Sequence, residues 1–279
     1  MLNSSSATPA SPALRILAVG DVIGSPGRRT LRRLLPGIRA EVGADLVIAN
    51  GENSAGGRGV SRRTAREMRD TGVDVITTGN HIWAQQDVDE ALADDDLRLL
   101  RPLNYPPGVP GRGSCTVRVK GVDLTVVSLI GRVFMTPLDD PFAVIDSLLV
   151  ERDRSSSSRS AVIVDFHAEA TSEKVAMGWH LAGRVAAVFG THTHVPTADT
   201  RVLPGETGYV TDLGMVGPRD SVIGTAIEPS LERFTSGRPR RLPVPDGPTT
   251  FNSVIFDVDA TRGTCQAVRR FDRNDNVQR

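Results

Sequence analysis

Short apolar runs recur along the chain, each ending in Gly, Asn or His and followed by a stretch with helical spacing. Residues 14–19 form the first run and end in Gly20-Asp21. A helix is predicted over 27–35, stopping near Pro36. A second strand over 45–49 ends in Asn50-Gly51-Glu52-Asn53, with a helix over 61–70 and Ser61 as its N-cap. A third over 73–77 ends in Gly79-Asn80-His81, and a helix is predicted over 83–93. Further on, 114–119 and 122–129 flank Lys120-Gly121 and read as a β-hairpin. A helix over 142–151 and a solvated serine run at 155–158 come next. Strands over 161–165 and 185–189 lead to His167 and to His192 and His194, with Thr171 or Ser172 capping the helix between them. Strands are also predicted over 208–211, 251–258 and 265–270. Strand–helix alternation followed by hairpins predicts an α/β protein, with mixed sheets flanked by helices and packed as an α/β sandwich. A single domain is expected over 14–271, between a flexible N-terminal tail at 1–13 and a flexible C-terminal end at 272–279.

Composition narrows the classes. Hydrophobic residues at 39% and charged residues at 24% exclude a disordered chain. A formal net charge of zero argues against holding long nucleic acid by counterion release, though a local anion site remains open. No apolar run approaches the roughly 20 residues of a membrane span, so no membrane partner is expected. The Ser/Ala/Pro-rich start lacks the apolar segment of a signal peptide. Cys115 and Cys265, far apart and outside any paired motif, read as reduced cysteines of a cytoplasmic protein.

The candidate chemistry lies where the predicted strands end. Asp21, Glu52, Asn53, Asn80, His167, His192 and His194 all fall at or just past such an end, the edge where open α/β sheets bind ligands. Taken singly, Asp21 is more often a helix cap, Glu52-Asn53 turn chemistry and His167 a core histidine. Together they offer three imidazoles, two carboxylates and two amides, too many for one four-coordinate zinc. The set suits two first-row transition metals sharing a carboxylate, an arrangement that clamps the oxygens of an in-line displacement at phosphorus. His81, beside Asn80, could donate a proton to a leaving oxygen. His180 reads as structural, and Trp83 and Trp179 as core. Gly56-Gly57-Arg58-Gly59 is either a phosphate cradle or a flexible loop. Residues 101–106 are expected to form a rigid loop at the site mouth. The Arg28-Arg29 and Arg32-Arg33 pairs read as the outer face of a helix.

Several strings occur in order. They are Gly20-Asp21-Val22-Ile23-Gly24, Asn50-Gly51-Glu52-Asn53, Gly79-Asn80-His81-x-Trp83, the run from Asp165 through His167 to Lys174, and the run from Gly190 through His192 and His194 to Asp199. Over residues 14–258 the chain resembles the YmdB-like bacterial branch of the calcineurin-like metallophosphoesterases. The resemblance implies a phosphodiesterase acting on cyclic nucleotides, 2′,3′-cyclic ones especially, with a di-iron or di-manganese centre; zinc stays open. It implies that Glu52 bridges the metals, that Asp21, Asn53 and His194 serve one, and that Asn80, His167 and His192 serve the other. By the same resemblance a metal-bridging hydroxide attacks phosphorus, His81 is the proton donor, and a homo-oligomer is possible. The wider superfamily usually carries Asp-x-His after the first strand; here Ile23 stands in place of that His, and Asn53 is the substitute ligand. Two alternatives stay open: a broad phosphomonoesterase, and a metal-bound regulatory protein that binds a nucleotide or an RNA-processing partner with little turnover.

Overall fold

The computed structural model describes residues 13–155 and 160–276. The expected tail up to residue 12, the serines at 156–158 and the last residues, 277–279, lie outside this range.

Two sheets face each other. In the first, Ala13–Val19 pairs parallel with Leu46–Asn50 and antiparallel with Ser253–Asp259; Val75–Thr77 and Cys265–Arg270 form its edges. The second runs Ser114–Val119, Val122–Ile130, Ser160–His167, Ala187–Thr191, Thr207–Val210, Arg201–Leu203 in spatial order. The period-2 alternation of each strand assigns its faces. Leu14, Ile16 and Ala18 enter the core between the sheets, against Leu124, Val126, Ile163 and Phe189. Leu17 and Val19 turn outward onto Leu31, Leu35 and Ile38 of the helix Gly24–Val42 and Ala65 and Met68 of the helix Arg62–Thr71. On the far side, Val127, Val162 and Val164 pack on Ile145 and Leu149 of the helix Pro141–Ser155 and on Met177 of the helix Thr171–His180. The result is the expected α/β sandwich with mixed sheets and helices outside both.

Several elements depart from expectation. The first helix does not stop near Pro36 but continues to Val42 and ends at left-handed Gly43. Pro36 is exposed, so the carbonyl it leaves without a helical donor can be met by water. The stretch expected as one helix over 83–93 is a short 3₁₀ turn, Ile82–Ala84, and a separate helix, Val88–Ala93. Ser61 caps its helix as expected, in a reciprocal box with Thr64. Neither Thr171 nor Ser172 is a cap: Ala170 occupies that position and gives no side-chain bond. Strands Asp21–Val22, Arg201–Leu203 and Met215–Pro218 and the helix Ile227–Ser236 had no clear sequence signal. The expected strand over 251–258 is divided between Thr249–Phe251 and Ser253–Asp259. Arg273–Asp275, expected in a flexible end, pairs antiparallel with Thr249–Phe251. Trp83 and Trp179 are not core residues but are 37% and 52% exposed; Trp83 meets Tyr105 edge-on and Arg201 lies over Trp179. Arg28 is buried instead of outward, donating to Glu67 and to the Ser54 carbonyl. Cys115 and Cys265 are both free thiols. No helix among the described residues is long and apolar enough to cross a membrane.

Candidate metal centre

The parallel strands of both sheets end at one edge, and that edge gathers the polar side chains. From the first sheet come Glu52 and Asn53, after Asn50, and Asn80, after Thr77; Asp21, two residues past Val19, opens the short strand Asp21–Val22, which pairs with Met215–Pro218 in a separate four-stranded sheet. The second sheet brings His167, which closes its strand, and His192 and His194, just after Thr191. His192 and His194 have φ of 101° and 63°, a left-handed backbone that costs side-chain-bearing residues energy and here accompanies a functional loop.

All seven predicted side chains come together. Glu52 is fully buried in their midst. Its Oε1 lies 3.2 Å from Asn53 Nδ2, and its Oε2 lies 3.3 Å from His167 Nε2. Asn53 Nδ2 is also 3.2 Å from His194 Nε2, which is 3.7 Å from Asp21 Oδ1. On the other side, His167 Nε2 lies 3.0 Å from both Asn80 Oδ1 and His192 Nδ1. The two oxygens of Glu52 therefore face two different groups: Asp21, Asn53 and His194 on one side, Asn80, His167 and His192 on the other.

Each imidazole is tied from outside at one nitrogen. His167 Nδ1 meets Thr191 Oγ1 at 2.9 Å, His192 Nε2 meets Glu169 Oε2 at 2.9 Å, and His194 Nδ1 meets the Ile223 carbonyl at 2.8 Å. The second nitrogen of each turns inward. Such outer partners orient metal-binding histidines.

These residues fit a cation. Asp21 Oδ1 is buried and has no hydrogen-bond partner. Glu52, His167 and His192 each place a ligand atom within 4.8 Å of the others. Mixed nitrogen and oxygen donors suit a divalent first-row metal. Burial would raise the Glu52 carboxyl, but His167 and His81 overcome it and hold it well below the usual carboxylate range. Burial opposes charge on His167, yet Glu52, Asp21 and Asp165 push its imidazole up to about 9. Burial, with charged His167 beside it, brings His192 down to about 3. Burial also raises Asp21. The cluster thus presents buried carboxylates that require positive charge close by. Asn53 turns its Nδ2 toward Glu52 and His194 and its Oδ1 toward His81; rotating the amide exchanges the two atoms and presents oxygen inward.

His81 stands at the rim. Its Nδ1 lies 2.8 Å from Asn53 Oδ1 and 3.3 Å from Glu52 Oε1, and its backbone N–H donates to Glu52 Oε2. It lines an open cleft of about 230 Å³ with Glu169, Thr193 and Ile223.

Comparison with known proteins places this arrangement. The family model described as YmdB-like protein matches residues 17–271. This chain belongs to the YmdB-like family of metallophosphoesterases. It is 42% identical over 263 residues to a 2′,3′-cyclic-nucleotide 2′-phosphodiesterase of Bacillus subtilis, covering 94% of this chain and 98% of that one. Among solved structures it is similar to a hypothetical protein of Thermus thermophilus (43% identity, TM-score 0.87, 94% and 100% covered). It is also similar to a phosphatase of Mycoplasma pneumoniae (34% identity, TM-score 0.89, 95% of each chain).

Other expected features of this family member resolve as follows. In the Gly56–Gly59 loop two of the amides are already committed to the loop itself. Gly57 N–H donates to the Asn53 carbonyl and Arg58 N–H to that of Ala55. The loop at 101–106 is braced, since buried Arg101 donates to the carbonyls of Pro102, Val109 and Pro110, and Asn104 to those of Ile130 and Asp139. His180 is structural, bonded to Asp146 at 2.8 Å. Sequence reasoning missed the residues behind the ligands: Asn50, Thr77, Asp165, Glu169, Lys174, Thr191 and Asp212. Asn50, Asp165, Glu169, Lys174 and Thr191 lay within the motif strings, and Thr77 and Asp212 outside them; without contacts none of these positions stands apart from its strand, helix or loop.

Lys174 and Asp212 support the histidine loop. Lys174 Nζ donates to Asp212 Oδ2 at 2.6 Å and to the Thr191 carbonyl at 2.7 Å, with both side chains 1% exposed. Asp212 also accepts from the N–H groups of Thr193 and Gly214. Lys174→Met removes one partner of a buried pair and leaves the Asp212 charge uncompensated, a change that costs about 3–5 kcal/mol. Urea unfolding should show a loss of that order; a loss below about 1 kcal/mol, typical of exposed pairs, would contradict it.

Proposed function

We propose that this chain is a phosphodiesterase that opens small cyclic nucleotides, 2′,3′-cyclic ones foremost, at a centre of two divalent transition metals, with iron or manganese favoured. The observation that carries this reading is Glu52, whose two carboxylate oxygens face two separate groups of nitrogen and oxygen ligands. Asp21, Asn53 and His194 would hold one cation, and Asn80, His167 and His192 the other, with Glu52 shared between them. Bound there, the cations would lower the pKa of the attacking water and offset charge on the phosphate. The chain's own groups do the rest. His81 Nδ1 lies 2.8 Å from the Asn53 amide; with the Asn53 oxygen turned toward a cation, its Nδ2–H donates to Nδ1 and leaves the imidazole proton on Nε2, free to pass to the departing ribose oxygen. In the hydrolysis, water forms the new P–O bond, one ester P–O bond breaks, and the proton completes the ribose hydroxyl. The identity with the Bacillus phosphodiesterase supports the substrate class. The two free thiols support a reducing, cytoplasmic setting.

The test is hydrolysis of 2′,3′-cAMP, 3′,5′-cAMP and p-nitrophenyl phosphate by Mn²⁺- or Fe²⁺-loaded protein. The 2′,3′-cyclic substrate should be cleaved selectively, with activity lost on chelation and restored by Mn²⁺. Preference for the monoester would overturn the reading in favour of a phosphomonoesterase. No turnover on any substrate by metal-loaded protein would favour a regulatory binding role.

A further inference from the structure

We infer that Thr191 and Asp165 are positioning residues: when a cation is bound, they keep the remaining proton of His167 on Nδ1 and so present Nε2 as a lone pair to the centre. The cation takes the place of the second proton that Glu52 and Asp21 favour on His167. The inference rests on the metal-centre reading above and adds the device that keeps one ligand competent. All three side chains are fully buried, so no solvent can supply or accept these protons.

The direction of each hydrogen bond follows from the partners. Asp165 receives Thr77 Oγ1–H and, at 3.3 Å, Asn50 Nδ2–H on Oδ2. Thr191 Oγ1 lies 2.7 Å from Asp165 Oδ1. With three donors on its two oxygens, Asp165 acts as an acceptor throughout. The single hydroxyl proton of Thr191 is therefore committed to Asp165. Its oxygen can then only accept from His167 Nδ1, 2.9 Å away, which places the proton on that nitrogen. Asn50 Nδ2, 3.4 Å from Nδ1, would favour the opposite tautomer, but its geometry is poorer and it also serves Asp165 and Thr191 Oγ1. The opposite tautomer would point an N–H from Nε2 at Glu52 and the second ligand group, where a cation cannot accept it. Asn50 Oδ1 also accepts the Glu52 N–H, so the same buried network joins the His167 support to the loop bearing the shared carboxylate.

The experiment compares wild type, Thr191→Val and Thr191→Ser loaded with Zn²⁺ as a diamagnetic probe. It reads Zn²⁺ affinity by chelator competition, the His167 Nδ1–H by ¹⁵N-correlated NMR, and folding by thermal melting. Wild type should show a solvent-protected Nδ1–H. Thr191→Val should lose that protection and bind Zn²⁺ about 10–100-fold more weakly, and Thr191→Ser should recover to within about threefold of wild type. Wild-type affinity and a protected Nδ1–H in Thr191→Val, or a Thr191→Ser as weak as Thr191→Val, would overturn the inference. If Thr191→Val does not melt cooperatively, Asp165→Asn decides by the same readouts: weakened binding supports the inference, and wild-type affinity overturns it. A wild type that holds no Zn²⁺ overturns the metal-centre reading and this inference with it. Tight binding by wild type, unchanged in Thr191→Val, overturns this inference alone.

Discussion

His81→Ala should lower kcat on 2′,3′-cAMP by roughly 10²–10⁴-fold, the range typical of removing a positioned general acid. Its metal content should stay at the wild-type level, because the His81 ring touches the cluster only through the Asn53 amide and Glu52 and is not among the proposed ligands. The leaving group supplies a second check. A ribose oxygen needs a proton as it departs, whereas p-nitrophenolate does not. A p-nitrophenyl diester should therefore lose far less rate than the cyclic nucleotide in the same variant. Steady-state kinetics on both substrates, with metal analysis of each preparation, measures this. Equal losses on the two substrates, or loss of metal, would remove His81 from the acid role and make it a structural neighbour of Glu52.

Gly79→Ala is the second large effect, and it comes from packing. A Cβ at Gly79 would lie 2.0 Å from His167 Cδ2 and 2.3 Å from Cγ and Nε2, far inside contact distance. The ring cannot retreat easily, since Thr191 Oγ1 holds its Nδ1 and the residue is wholly buried at the end of a central strand. Overpacking of this kind costs about 1–3 kcal/mol in stability. A displacement of roughly 1 Å in a catalytic constellation can cost about 10²-fold in rate. The expected outcome is a folded protein with a lower melting temperature, reduced metal content and activity down by at least about 10²-fold. Full metal occupancy and wild-type turnover in Gly79→Ala would show that the ring is not confined as the structure has it.

Much of the architecture could be read from local pattern. The parallel strands that form the site announce themselves as apolar runs that stop at Gly, Asn or His, because a buried strand must be apolar until it reaches the sheet edge. The Lys120-Gly121 hairpin and the Ser61 cap were equally local, and both stand as read. Short strands such as Asp21–Val22 and Arg201–Leu203 were invisible, since two or three residues carry no periodicity. Pro36 misled because the penalty for proline in a helix depends on whether the freed carbonyl faces water, which the chain alone does not disclose. The tryptophans misled for a related reason: size favours burial on average, but position in the fold decides it.

What the sequence determined by itself is the set of candidate ligand types and the strand ends that carry them, from Asp21 to His194. These are local properties of composition and spacing. Only the tertiary structure decided how they are grouped: that Glu52 divides its oxygens between two clusters, that His167 is backed by Thr191 and Asp165, and that Lys174 and Asp212 hold the loop of His192 and His194. Those contacts join residues far apart in sequence, and their geometry is set by strand register and sheet-on-sheet packing. Hydrogen-bond direction, and with it the proton on a buried imidazole, exists only once every partner is in place.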